Sequence, residues 1–141
     1  MAVRTATAEW RGALQSGSGK MAFGGFEGQY SYASRFEEGP GTNPEELLGA
    51  AHAGCFSMAL ANVLATAGHE PTRVATTARV HLVPAEEGPS ITQIELQTEG
   101  EVPGIEEDEF QQHAKTAKEG CAVSRALASV EISLDARLAG T

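Results

Sequence analysis

The chain has 141 residues, 41% of them hydrophobic and 21% charged, and a formal net charge of −9. That length favours a single domain over residues 1–141 with room for a real core, and the negative charge repels phosphate backbones and so excludes a nucleic-acid partner. No run reaches the roughly 18 apolar residues of a membrane span, and the N-terminus lacks the apolar stretch of a signal peptide, so a cytoplasmic location is the default.

Residues 3–10 alternate in character and predict a strand. Residues 11–20, with three glycines, predict a loop or hairpin, and residues 21–26 a short strand broken at Gly24-Gly25. Residues 29–36, QYSYASRF, predict a third strand with Tyr30 and Tyr32 on one face. A Gly- and Pro-containing loop then leads to the longest helical signal. Asn43 is placed to cap it, Pro44 suits the first helical position, and Glu46 completes a capping-box pattern by reaching back to the cap backbone. Glu45 points about 100° away from Glu46 and is free for another task, although both favour the positive end of the helix dipole. The helix passes through the small residues Gly49 to Gly54, then Cys55, Phe56, Met58, Leu60, Val63 and Leu64. So apolar a helix predicts burial all round, and small residues suit close approach to another backbone. It stops near Gly68, a C′ glycine ahead of Pro71.

Residues 72–83 and 90–102 predict two more strands around a turn at residues 84–89. Residues 105–119, acidic first and lysine-bearing last, predict a second helix. Cys121 opens a short helical piece, and residues 130–138 predict a final strand. The order β-β-β-α-β-β-α-α-β, with strands in antiparallel-style pairs, is an α+β class. One sheet covers only one face of the long central helix; the second helix and a second copy of the chain cover the rest, so the pattern predicts a homodimer.

Cys55 and Cys121 are the only cysteines. In a reducing cytosol they are inert core thiols, a metal site or a redox pair. A redox cysteine must ionise, since the thiolate is the nucleophile, and an ordinary thiol titrates near pH 8.5. An arginine beside it favours the charged form, and a carboxylate fixes the guanidinium fork. Arg35 and Glu45 are the candidates, against plainer roles as a strand-end charge and a dipole partner. Ten residues of unbroken helix, about 15 Å, separate Glu45 from Cys55. Either the helix breaks near Gly49 or Gly54, or Glu45 serves the partner chain's cysteine. His52, one turn before Cys55, could in principle join Cys121 and His113 as zinc ligands, but the spacing is no established zinc set. A core or interface histidine is the plainer reading.

Arg35-Phe36, Gly41-Thr42-Asn43-Pro44-Glu45-Glu46-Leu47, Ala50 to Ala59 with Cys55 at its centre, Val102 to Ile105, and Gly120-Cys121 followed by Val123-Ser124 together resemble the osmotically inducible protein C (OsmC) family. The related organic hydroperoxide resistance proteins share the Asn-Pro-Glu and Cys elements. The resemblance implies a thiol-dependent peroxidase in oxidative or osmotic stress defence, acting on organic hydroperoxides and less well on hydrogen peroxide. It implies Cys55 as the peroxidatic and Cys121 as the resolving cysteine, joined in a disulfide during turnover, with Arg35 and Glu45 activating Cys55. It implies an intertwined α+β homodimer with antiparallel sheets around the buried central helix. No metal or flavin is implied; a dithiol reductant such as a lipoyl protein would recycle the enzyme. The alternative is a redox-sensing or binding protein that uses the same cysteines without turnover. An apolar pocket near Phe56 and Met58 would suit alkyl peroxides. Ala122 stands where the family pattern has proline after the second cysteine, which leaves that backbone freer.

Overall fold

A computed structural model describes residues 1–140; Thr141, the last residue of the expected domain, lies outside them. The chain forms two compact units, Met1–Leu47 and Leu48–Thr141.

In the first unit, β1 (Ala6–Arg11), β2 (Ser18–Phe23) and β3 (Phe26–Tyr30) make an antiparallel meander in that order. Gly24 and Gly25 do not break a strand; they are the two-residue turn of the β2–β3 hairpin. Both have positive φ, 50° and 82°, the conformation that a tight hairpin matched to strand twist requires. Phe23 and Phe26 close it as paired residues. The expected third strand over residues 29–36 is corrected. The strand ends at Tyr30, and Tyr32–Phe36 is a short helix, α1. Ser31 and Ser34 override the alternation by capping each other: Ser34 N–H donates to Ser31 Oγ at 3.1 Å and Ser31 N–H to Ser34 Oγ at 2.9 Å. This is a capping box with serine at both ends. Tyr32 therefore meets Phe36, one turn on, in a tilted ring pair with 5.0 Å between centroids.

Helix α2 (Pro44–Thr66) starts in the first unit and runs unbroken into the second. Asn43 Oδ1 accepts the Glu46 N–H at 2.8 Å, as the sequence predicts. Glu46, however, reaches the side-chain amide of Asn43 at 2.8 Å rather than its backbone. At the far end Gly68 has φ 90°. His69 N–H donates to Leu64 O and Gly68 N–H to Ala65 O, the paired bonds of a Schellman cap.

The second unit holds a three-stranded sheet in the order β4 (Arg73–Val83), β5 (Ser90–Glu101), β6 (Glu131–Leu138). β4 and β5 pair antiparallel, but β6 pairs parallel to β5, which corrects the all-antiparallel expectation. Two helices, α3 (Glu107–Gly120) and α4 (Ala122–Ala126), lie between β5 and β6. A crossover of that length is what parallel pairing needs. The core joins Phe56, Leu60 and Leu64 of α2 to Ile94 and Leu96 of β5 and to Phe110, Ala114 and Ala117 of α3.

Burial of α2 follows one stripe, through His52, Phe56, Leu60 and Leu64, rather than all round. On that side a Cβ at Gly49 would meet Val80 and Ala78 of β4 at 3.4–3.7 Å, so part of the small-residue run does serve close approach. On the other side Met58 is 76% exposed, and among the described residues nothing lies within 4 Å of a Cβ built at Gly54. By length and averaged hydropathy α2 could cross a membrane, a property that counting uninterrupted apolar runs misses. Its packed stripe makes it a core helix.

Candidate active site

The first unit brings Arg35 and Glu45 together. Arg35 is on α1 and not on a strand, and the turn of α1 aims its guanidinium at the start of α2. Arg35 Nη2 donates to Glu45 Oε1 at 2.7 Å, and Nε to the same carboxylate at 3.1 and 3.3 Å. The Glu45 side chain is 9% exposed and that of Arg35 34%, so this fork is largely withdrawn from water. Charge-assisted pairs of this geometry are among the stronger hydrogen bonds in proteins. Two further bonds hold α1 against the start of α2: Ser34 Oγ donates to Thr42 O at 2.7 Å and Asn43 Nδ2 to Ser34 O at 2.9 Å. Glu45 thus does both things considered for it. It sits in the acidic first turn of α2 and it orients an arginine.

Arg35 also lies over the Phe36 ring, with Cζ 5.2 Å from the centroid. A cleft of about 430 Å³ opens beside it, walled by Trp10, Leu14, Tyr30, Tyr32 and Phe36. The expected apolar pocket near Phe56 and Met58 is corrected. Phe56 is fully buried core and Met58 projects outward.

The second unit brings the two cysteines together as free thiols. Cys121 is the hinge residue between α3 and α4. Its N–H donates to Ala117 O and its C=O accepts from Arg125 N–H, so it ends one helix and begins the next. Each thiol sets the other's titration. Burial and the neighbouring Cys121 push the Cys55 thiol up, against the N–H groups of Val123 and Ala122, which favour its thiolate. Burial also pushes Cys121 up. There the contact with Cys55, together with the N–H groups of Ser124 and Val123 and the Ser124 hydroxyl, outweighs it and brings the thiol below its ordinary value. The two thiols titrate as a coupled pair, so their ionisation belongs to the pair rather than to either sulfur alone.

Ala122 takes on a role that its identity makes possible. It is the first residue of α4, a position that suits proline, and Cys121 has φ −64° and ψ 124°, the backbone favoured before proline. Proline there would carry no N–H. Alanine does, and that N–H is one of the two that favour the Cys55 thiolate.

Two residues that sequence reasoning missed or undervalued complete this cluster. His52 is fully buried, and its Nε2 lies 2.7 Å from Ser124 Oγ. Ser124, itself buried, lies in α4 three residues after Cys121. Spacing placed His52 near Cys55, but Ser124 lies 72 residues further on and no local pattern links them. His113, the other histidine considered for zinc, lies 3.1 Å from Glu109 on its own helix.

The fold and this paired-thiol cluster define an OsmC-type protein. The family description "OsmC-like protein" matches residues 37–135, and the chain belongs to that family. It is 46% identical over 134 residues, 93% of each chain, to the Peroxiredoxin OsmC of Escherichia coli K12, and equally to that of Shigella flexneri. Among solved structures it is similar to an organic hydroperoxide resistance protein OsmC from Legionella pneumophila, with TM-score 0.76, 25% identity, and 97% of this chain and 99% of that one covered. It is also similar to an organic hydroperoxide resistance protein from Elizabethkingia anophelis, with TM-score 0.77, 25% identity, and 98% and 99% covered.

Proposed function

We propose that this chain reduces organic hydroperoxides to alcohols, and hydrogen peroxide less efficiently, using Cys55 and Cys121. At the coarser level it is a cysteine-based peroxidase of the OsmC family. The observation that carries the finer reading is the neighbouring pair of free thiols, Cys55 on α2 and Cys121 at the start of α4.

The chemistry follows from the sulfurs. The Cys55 thiolate attacks the peroxide oxygen, the O–O bond breaks, alkoxide leaves and is protonated to alcohol, and Cys55 becomes a sulfenic acid. Cys121 attacks that sulfur, the S–O bond breaks, water leaves, and a disulfide joins the two residues. An external dithiol, such as a protein-bound lipoyl group, reduces the disulfide by exchange. The electrons pass only through sulfur, so neither metal nor flavin is required. The Arg35–Glu45 fork serves as the activating charge: the guanidinium favours the Cys55 thiolate and holds the peroxide oxygen. The aromatic cleft beside Arg35 takes the alkyl part of the substrate, which favours bulky peroxides over hydrogen peroxide.

The α2 helix is unbroken, which supports the second of the two routes considered for Glu45. We therefore assign the Arg35–Glu45 pair of one chain to the Cys55 of a second copy, in a homodimer that covers the open face of α2 at Gly54 and Met58. A cytoplasmic location and a role in oxidative or osmotic stress complete the reading.

Steady-state turnover with cumene hydroperoxide and dihydrolipoamide tests it. Cys55→Ser is expected to abolish peroxide consumption, and Cys121→Ser to keep one turnover and lose recycling. Arg35→Lys keeps a charge but not the fork, and is expected to lower kcat/KM on the order of tenfold or more. The upward push on Cys55 favours a second reading, a slow redox sensor. One equivalent consumed without multiple turnover in the wild type would select that reading instead.

A further inference from the structure

His52 has no exposure to solvent, and the reaction as written does not use it. Among the described residues its Nδ1 has no hydrogen-bond partner. A buried polar atom left unpaired is a cost that an apolar side chain does not carry, so the reason for an imidazole here lies with its other nitrogen. That nitrogen, Nε2, is 2.7 Å from Ser124 Oγ. The bond joins α2 to α4, and it does so one turn from each cysteine. His52 precedes Cys55 by three residues, and Ser124 follows Cys121 by three. Little else fixes α4. It is five residues long, too short to hold its shape alone. Cys121 at its start makes no side-chain cap bond, and among the described residues no other side-chain hydrogen bond reaches the helix. Val123 and Leu127 pack against the core, but apolar burial is non-directional and leaves a short helix free to turn and slide. The bond from His52 to Ser124 has a direction and a length.

We propose that the His52–Ser124 bond is a pin that sets where Cys121 stands relative to Cys55, which makes both residues positioning residues for the disulfide-closing step; this rests on the reading of the two cysteines as a peroxidatic and resolving pair. Cys55 packs against the same buried core that contains Cys121. In closing, the Cys121 sulfur forms the S–S bond as the S–O bond of the Cys55 sulfenic acid breaks. The thiol proton leaves with the departing hydroxide as water. The sulfenic sulfur is reduced and the thiol sulfur oxidised, both to the disulfide level. The pin takes no part in that exchange of protons and electrons. It acts by holding two reacting groups in line, and such steps lose rate steeply when one group is misplaced by about 1 Å. Pin and disulfide order the same five-residue helix, so each makes the other more favourable. By reciprocity, a chain that loses the pin closes a weaker disulfide.

The test is the equilibrium of the full-length protein with a glutathione redox buffer, quenched with acid and alkylated, with the Cys55–Cys121 disulfide counted by mass spectrometry. The two thiols pass two hydrogens to glutathione disulfide, so this reading needs no peroxide. Ser124→Ala and His52→Leu are each expected to weaken the disulfide about tenfold, a shift of about 30 mV toward easier reduction. A general loss of stability lowers reduced and oxidised forms alike and leaves this equilibrium where it was. The double variant is expected to match the weaker single one, because the two residues make one bond. His52→Gln, whose terminal amide can bond the same hydroxyl, is expected to keep the equilibrium near that of the wild type. Should His52→Leu fail to fold, Ser124→Ala, which removes a single oxygen, decides alone. An unchanged equilibrium in Ser124→Ala overturns the pin, as does a wild type that forms no Cys55–Cys121 disulfide in the buffer. A wild type that closes the disulfide in glutathione but consumes no cumene hydroperoxide overturns the peroxidase reading instead, and the tenfold shift in Ser124→Ala then still upholds the pin.

Discussion

At the scale of single residues, the backbone N–H of Ala122 adds the smallest of the influences on Cys55, after burial, Cys121 and the Val123 N–H. It favours the Cys55 thiolate, and a proline at the same place would fit α4 while removing the donor. Ala122→Pro is therefore expected to fold normally but to raise the pH at which Cys55 ionises. Thiolate absorbance near 240 nm, followed in a Cys121→Ser background, reads this directly; an unchanged titration contradicts it. His52 supplies the pH dependence of stability. Burial holds its folded pKa below the ordinary 6.5, so between the two values the unfolded chain binds more protons than the folded one. Stability then rises with pH across that window and falls as the pH drops below about 6.5. Urea midpoints at pH 7.5 and 5.5 are expected to differ less for His52→Asn than for the wild type. The Arg35–Glu45 ion pair was legible, because a carboxylate beside an arginine fixes its fork. Ser124 was not, since its meaning lies in a contact across 72 residues of chain.

At the scale of elements, caps and glycines explain both the hits and the misses. The limits of α2 could be read directly, because Asn43 and Gly68 satisfy backbone groups that a helix end leaves unpaired. The stretch holding Arg35 was misread as a strand because Tyr30 and Tyr32 alternate, while the stronger local signal was the Ser31–Ser34 pair. The direction of β6 could not be read, since the spacing of its side chains is the same for either pairing. Gly100 of β5 shows how tightly α3 is seated. A Cβ there would sit 2.7 Å from Phe110 Cε1, and that ring is fully buried. Gly100→Ala is expected to destabilise the fold by about 1–3 kcal/mol, the cost of overpacking a core. Urea denaturation checks this; a change under about 0.5 kcal/mol, the scatter of ordinary surface substitutions, would mean the ring yields freely.

At the scale of the whole molecule, the open face of α2 decides the account. The sequence predicted a helix buried all round, but one chain buries a single stripe of it. Met58, at 76% exposure, is a large apolar residue of α2 left open to water. Met58→Glu is expected to give a monomer by sedimentation and to lose most peroxidase activity while the chain keeps its helical content. A dimer that persists with this substitution would mean that α2 is not the seam. Arg35 pairs with Glu45 in one unit, and Cys55 with Cys121 in the other; the proposed dimer would join charge and sulfur from two copies.

The most direct measurement is the intact mass of the reduced protein after one equivalent of cumene hydroperoxide, with peptide mapping. The account predicts the loss of two hydrogens, located in a bond between Cys55 and Cys121. Recovery of both residues as free, alkylatable thiols would contradict it.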